Sequence, residues 1–305
     1  MEPLSSPSSG APFHDIVYGD GSQASTRFVR LHRAPDAETT IHGTVVILHG
    51  GYWKNAYGLD DAYNNAGVGT LAPYFLERGF SAVEIEYRRR DHEGGGWPGT
   101  NEDVLAAMRH LVALGSMDGC GHRAAVSALR LDRLILVGHS AGGCLALWLA
   151  HQLCGGAVPG CSVALVLAAA PVADLARGYE LKVGDEGVEV ERYMGCTPLA
   201  EPAAYQAASP AALLPLHCAT LTAYGDADED VPPLLCEEWC VKAAAESPAG
   251  FARNLCIAGA NHFDVVNAEH AAWIDHIVPQ LADMLQGSGD DAAAAALLGS
   301  RRPGK

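Results

Sequence analysis

The residues best suited to chemistry in this sequence are one serine, one histidine and a cluster of carboxylates. Ser140 lies in Gly138-His139-Ser140-Ala141-Gly142, a G-x-S-x-G pattern. The residues before it, Leu134-Ile135-Leu136-Val137, have the length and branching of a buried parallel strand. The run after it, Cys144 to Ala150, is rich in Ala and Leu and is expected to be helical and apolar nearly all round. Between a strand and a helix the pattern predicts a sharp turn with Ser140 at its apex. Gly138 and Gly142 lack a Cβ, so the two backbones can approach. The first N–H groups of the helix have no intrahelical partner and can hold a developing oxyanion. That of Ala141, directly after the serine, is the first candidate donor. The bland alternative for this segment alone is a tight βα turn with an incidental serine.

A serine nucleophile needs a base, an acid to orient the base, and a second oxyanion donor. The base candidate is His262, in Gly259-Ala260-Asn261-His262-Phe263-Asp264. Of thirteen histidines it alone falls between the last predicted strand and the last predicted helix. The acid must come from Tyr224-Gly225-Asp226-Ala227-Asp228-Glu229-Asp230-Val231-Pro232, where four carboxylates crowd one loop. Composition does not choose among Asp226, Asp228 and Asp230. The second donor is expected from Gly50-Gly51-Tyr52, directly after an apolar strand, where two glycines let the backbone come close to a substrate. Tyr52 and Trp53 either wall a substrate pocket or pack the loop. His49 is expected to hold that loop by hydrogen bonds, and His139 to point away from the chemistry. Arg88-Arg89-Arg90 reads as a solvated run, unless one arginine neutralises Glu84 or Glu86. No cofactor motif or metal-ligand spacing is found. Cys236 and Cys240 would share a helix face, but no His or acid completes a zinc pattern.

The surrounding segments alternate between strands and helices. Phe13 to Arg33 suggests a hairpin with Gly19-Asp20-Gly21 as its turn. Strands are expected at Gly43–Leu48, Ser81–Tyr87, Val163–Ala170, Ala219–Tyr224 and Phe251–Ala258. Helices are expected ending at Gly79 from near Asp61, from Thr100-x-x-Asp103 onward, at Pro232–Ala245 and at Glu269–Leu285. Ser116 to Leu129 is an insertion without clear pattern. Residues 172–214 lose strand character and suit short helices that could form a lid. Such alternation implies an α/β fold, a mainly parallel sheet covered on both faces, with active residues beyond the carboxyl ends of strands. Residues 1–12 and 287–305 read as flexible tails around one domain over 13–286.

Composition narrows the partners. With 36 acidic and 20 basic residues among 305, the formal charge is −16, which disfavours nucleic acid and anionic membrane surfaces. Apolar residues make up 49%, enough for a large core. Nine scattered cysteines, with no C-x-x-C pair, favour free thiols in a reducing, cytoplasmic compartment. No signal peptide or membrane-length apolar run is evident.

Taken together, His49-Gly50-Gly51-Tyr52-Trp53, Gly138-His139-Ser140-Ala141-Gly142 and Asn261-His262-Phe263-Asp264 resemble the α/β-hydrolase superfamily over roughly residues 13–285. They are similar to kynurenine formamidases (arylformamidases) and also resemble related esterases with an HGG-type oxyanion loop. The resemblance implies Ser140 as nucleophile, His262 as base and Gly50 and Gly51 in the oxyanion loop. It also implies Asp228 as the acid, because G-x-x-D-x-x-V-P is the usual form of that loop. The implied activity is metal-free hydrolysis through an acyl-enzyme, of an aryl formamide such as N-formylkynurenine or of a short-chain ester. A non-catalytic receptor or scaffold on the same fold is the rival, although such proteins typically lose a triad member and here every position is filled. Gly94-Gly95-Gly96-Trp97-Pro98-Gly99-Thr100 departs from the formamidase pattern and resembles bacterial-type hydrolases of unassigned substrate.

Overall fold

The computed structural model describes residues 13–32, 41–61, 67–117, 122–184 and 186–299; the expected tail over 1–12 lies outside them. Eight strands form one sheet in the order β1-β2-β4-β3-β5-β6-β7-β8. They are β1 (Phe13–Val17), β2 (Phe28–His32), β3 (Thr44–Leu48), β4 (Ser81–Glu86), β5 (Leu134–His139), β6 (Val163–Ala169), β7 (Ala219–Gly225) and β8 (Ala252–Ile257). β1 and β2 run antiparallel to each other and β2 to β4, and every other neighbouring pair is parallel. Val45, Val46, Ile47 and Leu48 in β3 are all fully buried. Successive strand side chains face opposite sides, so the sheet is covered on both faces. The α/β expectation therefore stands.

The hairpin joins Val17 to Phe28 through residues 18–27, a longer loop than the expected Gly19-Asp20-Gly21 turn. The extra length lets Tyr18 bury itself and donate its hydroxyl to the Glu86 carbonyl at 2.7 Å.

The helices are α1 (Leu71–Leu76), α2 (Gly99–Ser116), α3 (Arg123–Val126), α4 (Ala141–Cys154), α5 (Leu175–Glu180), α6 (Glu189–Met194), α7 (Pro202–Ala208), α8 (Pro233–Glu246), α9 (Val278–Gly287) and α10 (Asp291–Leu298). A 3₁₀ turn over Val68–Thr70 precedes α1, and the expected start near Asp61 runs into residues outside those described. The predicted helix over Glu269–Leu285 instead begins as a π-turn at Ala272–Ile277. Short helices occupy 172–214, as composition suggested.

Residues 287–305 are not a loose tail throughout. Asp290 caps α10, its carboxylate accepting the Ala293 N–H at 3.0 Å, and it also pairs with Arg133. Five alanines and two leucines then propagate the helix, a strong local preference that the tail reading overlooked. Ala293, Ala294 and Leu297 are buried, and the Leu297 carbonyl accepts from Arg78 Nε at 3.3 Å. Asp290→Ala is expected to destabilise the protein by about 1–2 kcal/mol through the lost cap. A thermal melt indistinguishable from wild type would show that α10 contributes nothing to stability.

Among the described residues, no helix is long and apolar enough to cross a membrane.

Candidate active site

The turn between β5 and α4 has the predicted form. A Cβ on Gly138 would fall 2.1 Å from the Gly142 carbonyl oxygen, and one on Gly142 would fall 2.1 Å from the Leu48 carbonyl oxygen. Both positions therefore require glycine, and the turn abuts the end of β3. Between them Ser140 adopts φ 57°, ψ −121°, which is strained for a residue with a side chain. Its N–H donates to the Ala169 carbonyl at 2.8 Å, and its carbonyl accepts from Gly143 and Cys144. The helical ladder thus begins at Ser140, leaving the Ala141 N–H at the helix end without an intrahelical acceptor.

The acid loop resolves what composition left open. Asp228 Oδ2 lies 2.7 Å from His262 Nδ1, while Oδ1 accepts the N–H groups of Asp230 at 2.9 Å and Val231 at 2.8 Å. Both residues are buried. Asp226 instead accepts the Gly259 N–H at 2.6 Å and is exposed. Asp230 receives the Tyr52 hydroxyl, at 3.0 Å on its carbonyl and 3.3 Å on Oδ1. The ligand atoms of Asp228, Asp230 and His262 lie within 4.8 Å of one another, close enough to hold a cation. The Asp228–His262 bond and the Tyr52 hydroxyl already occupy that cluster.

His139 does not point away from the chemistry. Its Nε2 lies 2.8 Å from the His262 carbonyl oxygen, and the two rings are 4.5 Å apart. Burial pushes its pKa well below the ordinary histidine range, and His262 beside it adds to the effect. Because Ser140 is the next residue, this contact brings the serine and the base candidate to one place at the end of the sheet.

The loop after β3 is held from several sides. His49 is fully buried, its Nδ1 3.0 Å from the Gly50 carbonyl and its ring stacked 4.3 Å from Tyr87. Tyr87 donates its hydroxyl to the His49 carbonyl at 2.6 Å. Glu86 lies 3.4 Å from His49 Nε2 and accepts the Leu59 N–H. Burial raises the Glu86 carboxyl, but His49, Arg89 and the Leu59 N–H outweigh it and leave its pKa below the usual value. With the Gly50 carbonyl turned to His49, the trans peptide sends the Gly51 N–H the opposite way. Gly51, Tyr52 and Trp53 all have positive φ, at 93°, 52° and 56°. A Cβ on Gly51 would lie 2.3 Å from Tyr57 Cβ, so glycine is required there too.

Tyr52 and Trp53 separate in role. Tyr52 keeps 7% exposure and bridges to the acid loop. Trp53 has none: Tyr193 of α6 stacks on it at 4.0 Å and 10°. The expectation that Trp53 walls a pocket is corrected, because its ring is enclosed and packs the loop instead.

The arginine run is also not solvated. Arg88 forms a bidentate pair with Asp103 at 2.7 Å, Arg89 lies 3.3 Å from Glu86, and Arg90 pairs with the fully buried Glu189 of α6. Lys54 reaches the same Glu189 at 3.0 Å. The glycine-rich segment joins this assembly, with the Trp97 N–H donating to the Tyr193 carbonyl at 2.8 Å. Thus α6, inside the expected lid region, is fastened to the loop that carries Gly50 and Gly51. Asp103 reads from the sequence as an acid at a helix start and Glu189 carries no sequence signal; only their burial beside cations reveals this use.

The BD-FAE family model matches residues 32–239 of the chain. No curated protein matches significantly. Among solved structures, "Bifunctional GH43-CE Bacteroides eggerthii" superposes with a TM-score of 0.63 at 19% identity, over 81% of this chain and 35% of that one. The chain thus spans about a third of that protein's length. Esterase B from Lactobacillus Rhamnosis (HN001) gives 0.66 at 20% identity, covering 92% and 90% of the two chains. The carboxylesterase Cest-2923 from Lactobacillus plantarum WCFS1 gives 0.64 at 16%, covering 91% and 98%. The sheet and turn geometry of this chain are those of the α/β-hydrolase fold, and the chain belongs to the BD-FAE family.

Proposed function

We propose that this protein is a serine hydrolase of carboxylic esters. The observation that carries the reading is the buried Asp228–His262 bond at 2.7 Å, with the His262 carbonyl tied to the residue before Ser140. Ser140 Oγ attacks the substrate carbonyl carbon while His262 Nε2 takes its proton. Asp228 holds Nδ1–H, which keeps Nε2 as the acceptor. The N–H groups of Ala141 and Gly51 stabilise the tetrahedral oxyanion, each worth about 10²–10³ in rate. Collapse expels the alcohol, which takes the proton back from His262. Water, deprotonated by His262, then attacks the acyl carbon; the acyl–Oγ bond breaks, Ser140 Oγ takes the proton back from His262, and the acid is released. The esterase and carboxylesterase among the solved structures similar in fold support this substrate class. The nine scattered cysteines, with no C-x-x-C pair, favour work in a reducing, cytoplasmic compartment.

A second reading, hydrolysis of an aryl formamide such as N-formylkynurenine, rests on the His49-Gly50-Gly51-Tyr52-Trp53 segment and on Tyr52 beside the oxyanion glycines. It loses the Trp53 ring as a stacking surface. Turnover should be measured on a series of short-chain p-nitrophenyl esters beside N-formylkynurenine, together with fluorophosphonate labelling. Labelling at Ser140 and faster hydrolysis of an ester are expected. Faster turnover of the formamide would replace the ester reading, and an unlabelled, inactive protein would leave a non-catalytic scaffold.

A further inference from the structure

We propose that His139 is a positioning residue that clamps the base over the nucleophile, its Nε2–H holding the His262 carbonyl to the backbone next to Ser140. The inference rests on the reading of Ser140 and His262 as nucleophile and base.

The sheet order creates a reach problem. β5 carries Ser140 and β8 leads to His262, and they stand three strands apart. At about 4.8 Å per strand, the loop after β8 must return some ~14 Å across the sheet. Its first part is anchored at β7: the Ala227 N–H donates to the Ala260 carbonyl at 3.1 Å. Gly225 also allows a close approach, since a Cβ there would lie 1.9 Å from that same oxygen. Beyond this point Asp228 holds His262 by its imidazole and not by its main chain, which fixes the rotation of the ring. The main chain of His262 is anchored at β5 by His139, at 2.8 Å.

The chemistry of the contact is directional. A carbonyl oxygen only accepts, so His139 Nε2 must carry the proton. At 1% exposure, with the His262 and Phe263 rings 4.5 and 5.6 Å away, the donor is shielded from competing water. Burial keeps the ring neutral, so the clamp adds no charge beside the base. A residue that only filled space could be any planar ring of this size. The bond makes the donor, rather than the volume, the property that matters.

The test compares His139→Gln, whose amide nitrogen can replace Nε2, with His139→Met, which fills space without donating. Both are assayed at saturating p-nitrophenyl acetate, with circular dichroism to confirm folding. A base displaced by a fraction of an ångström should cost His139→Met about 10–100-fold in kcat. KM should stay within about two-fold, and His139→Gln should regain most of the loss. Equal losses in both variants, or kcat within about two-fold of wild type in both, would overturn the clamp. Independently of any variant, a ¹⁵N spectrum of the wild-type imidazoles should show His139 protonated at Nε2; a ring protonated only at Nδ1 overturns the proposal even if His139→Met fails to fold. A wild-type protein that neither hydrolyses the ester nor labels at Ser140 would refute the hydrolase reading, while the spectrum would still decide the hydrogen bond.

Discussion

Ser140→Ala should lower kcat by about 10⁴-fold or more while leaving the fold unchanged. The hydroxyl is the only group at the apex of the β5–α4 turn that can form the acyl-enzyme. Its neighbours, the Ala141 N–H and the Asp228–His262 pair, stay in place when it is removed. What remains is the part of catalysis due to oxyanion binding and substrate orientation alone. Alanine keeps the Cβ and suffers the same positive φ as the serine, so the strain is not relieved and the melting temperature should change little. The measurement is steady-state hydrolysis of a short-chain ester, with fluorophosphonate labelling as a second readout. Near wild-type hydrolysis by the alanine variant would rule out the serine mechanism.

Asp228→Asn should cost at least about 10²-fold in kcat, whereas Asp226→Asn and Asp230→Asn should cost far less. The physical reason is the tautomer of His262. An asparagine at 228 can still accept the Asp230 and Val231 N–H groups through its carbonyl oxygen. Its amide then faces His262 Nδ1 with a donor, which moves the imidazole proton to Nε2, where the base must be free to accept. Asparagine at 226 keeps an oxygen for the Gly259 N–H. At 230 the main-chain carbonyl still receives the Tyr52 hydroxyl. All three variants should be assayed on the same ester. A larger loss at Asp226 or Asp230 than at Asp228 would move the acid to that residue.

The local parts of the site were legible because their signals lie within a few residues. The glycines around Ser140 are dictated by one turn, and the structure shows the two close approaches that exclude a side chain there. His262 could be located because one loop follows the last predicted strand. Where signals were spread over distance, the reading failed or stayed open. Arg89 does pair with Glu86, the alternative offered for one arginine of the run, but the acids of Arg88 and Arg90 lie farther along the chain, in α2 and α6. Trp53 looks like a pocket wall until Tyr193, 140 residues further along the chain, covers it. The helix Asp291–Leu298 was missed for another reason: its cap and alanine run are visible locally but resemble a low-complexity tail.

By itself, the sequence determined the α/β alternation, the sharp turn at Ser140 and the residue types able to act as nucleophile, base and acid. These follow from backbone sterics and short-range hydrophobic periodicity, which act along the chain. Only the tertiary structure decided which carboxylate meets His262, that His139 turns toward His262, and that α6 fastens the loop of Gly50 and Gly51 through Glu189 and Tyr193. Asp226, Asp228 and Asp230 are chemically identical side chains within five residues. The resemblance of the loop to G-x-x-D-x-x-V-P pointed to Asp228, but its meeting with His262 depends on where β7 ends relative to β8 and β5, a consequence of strand order.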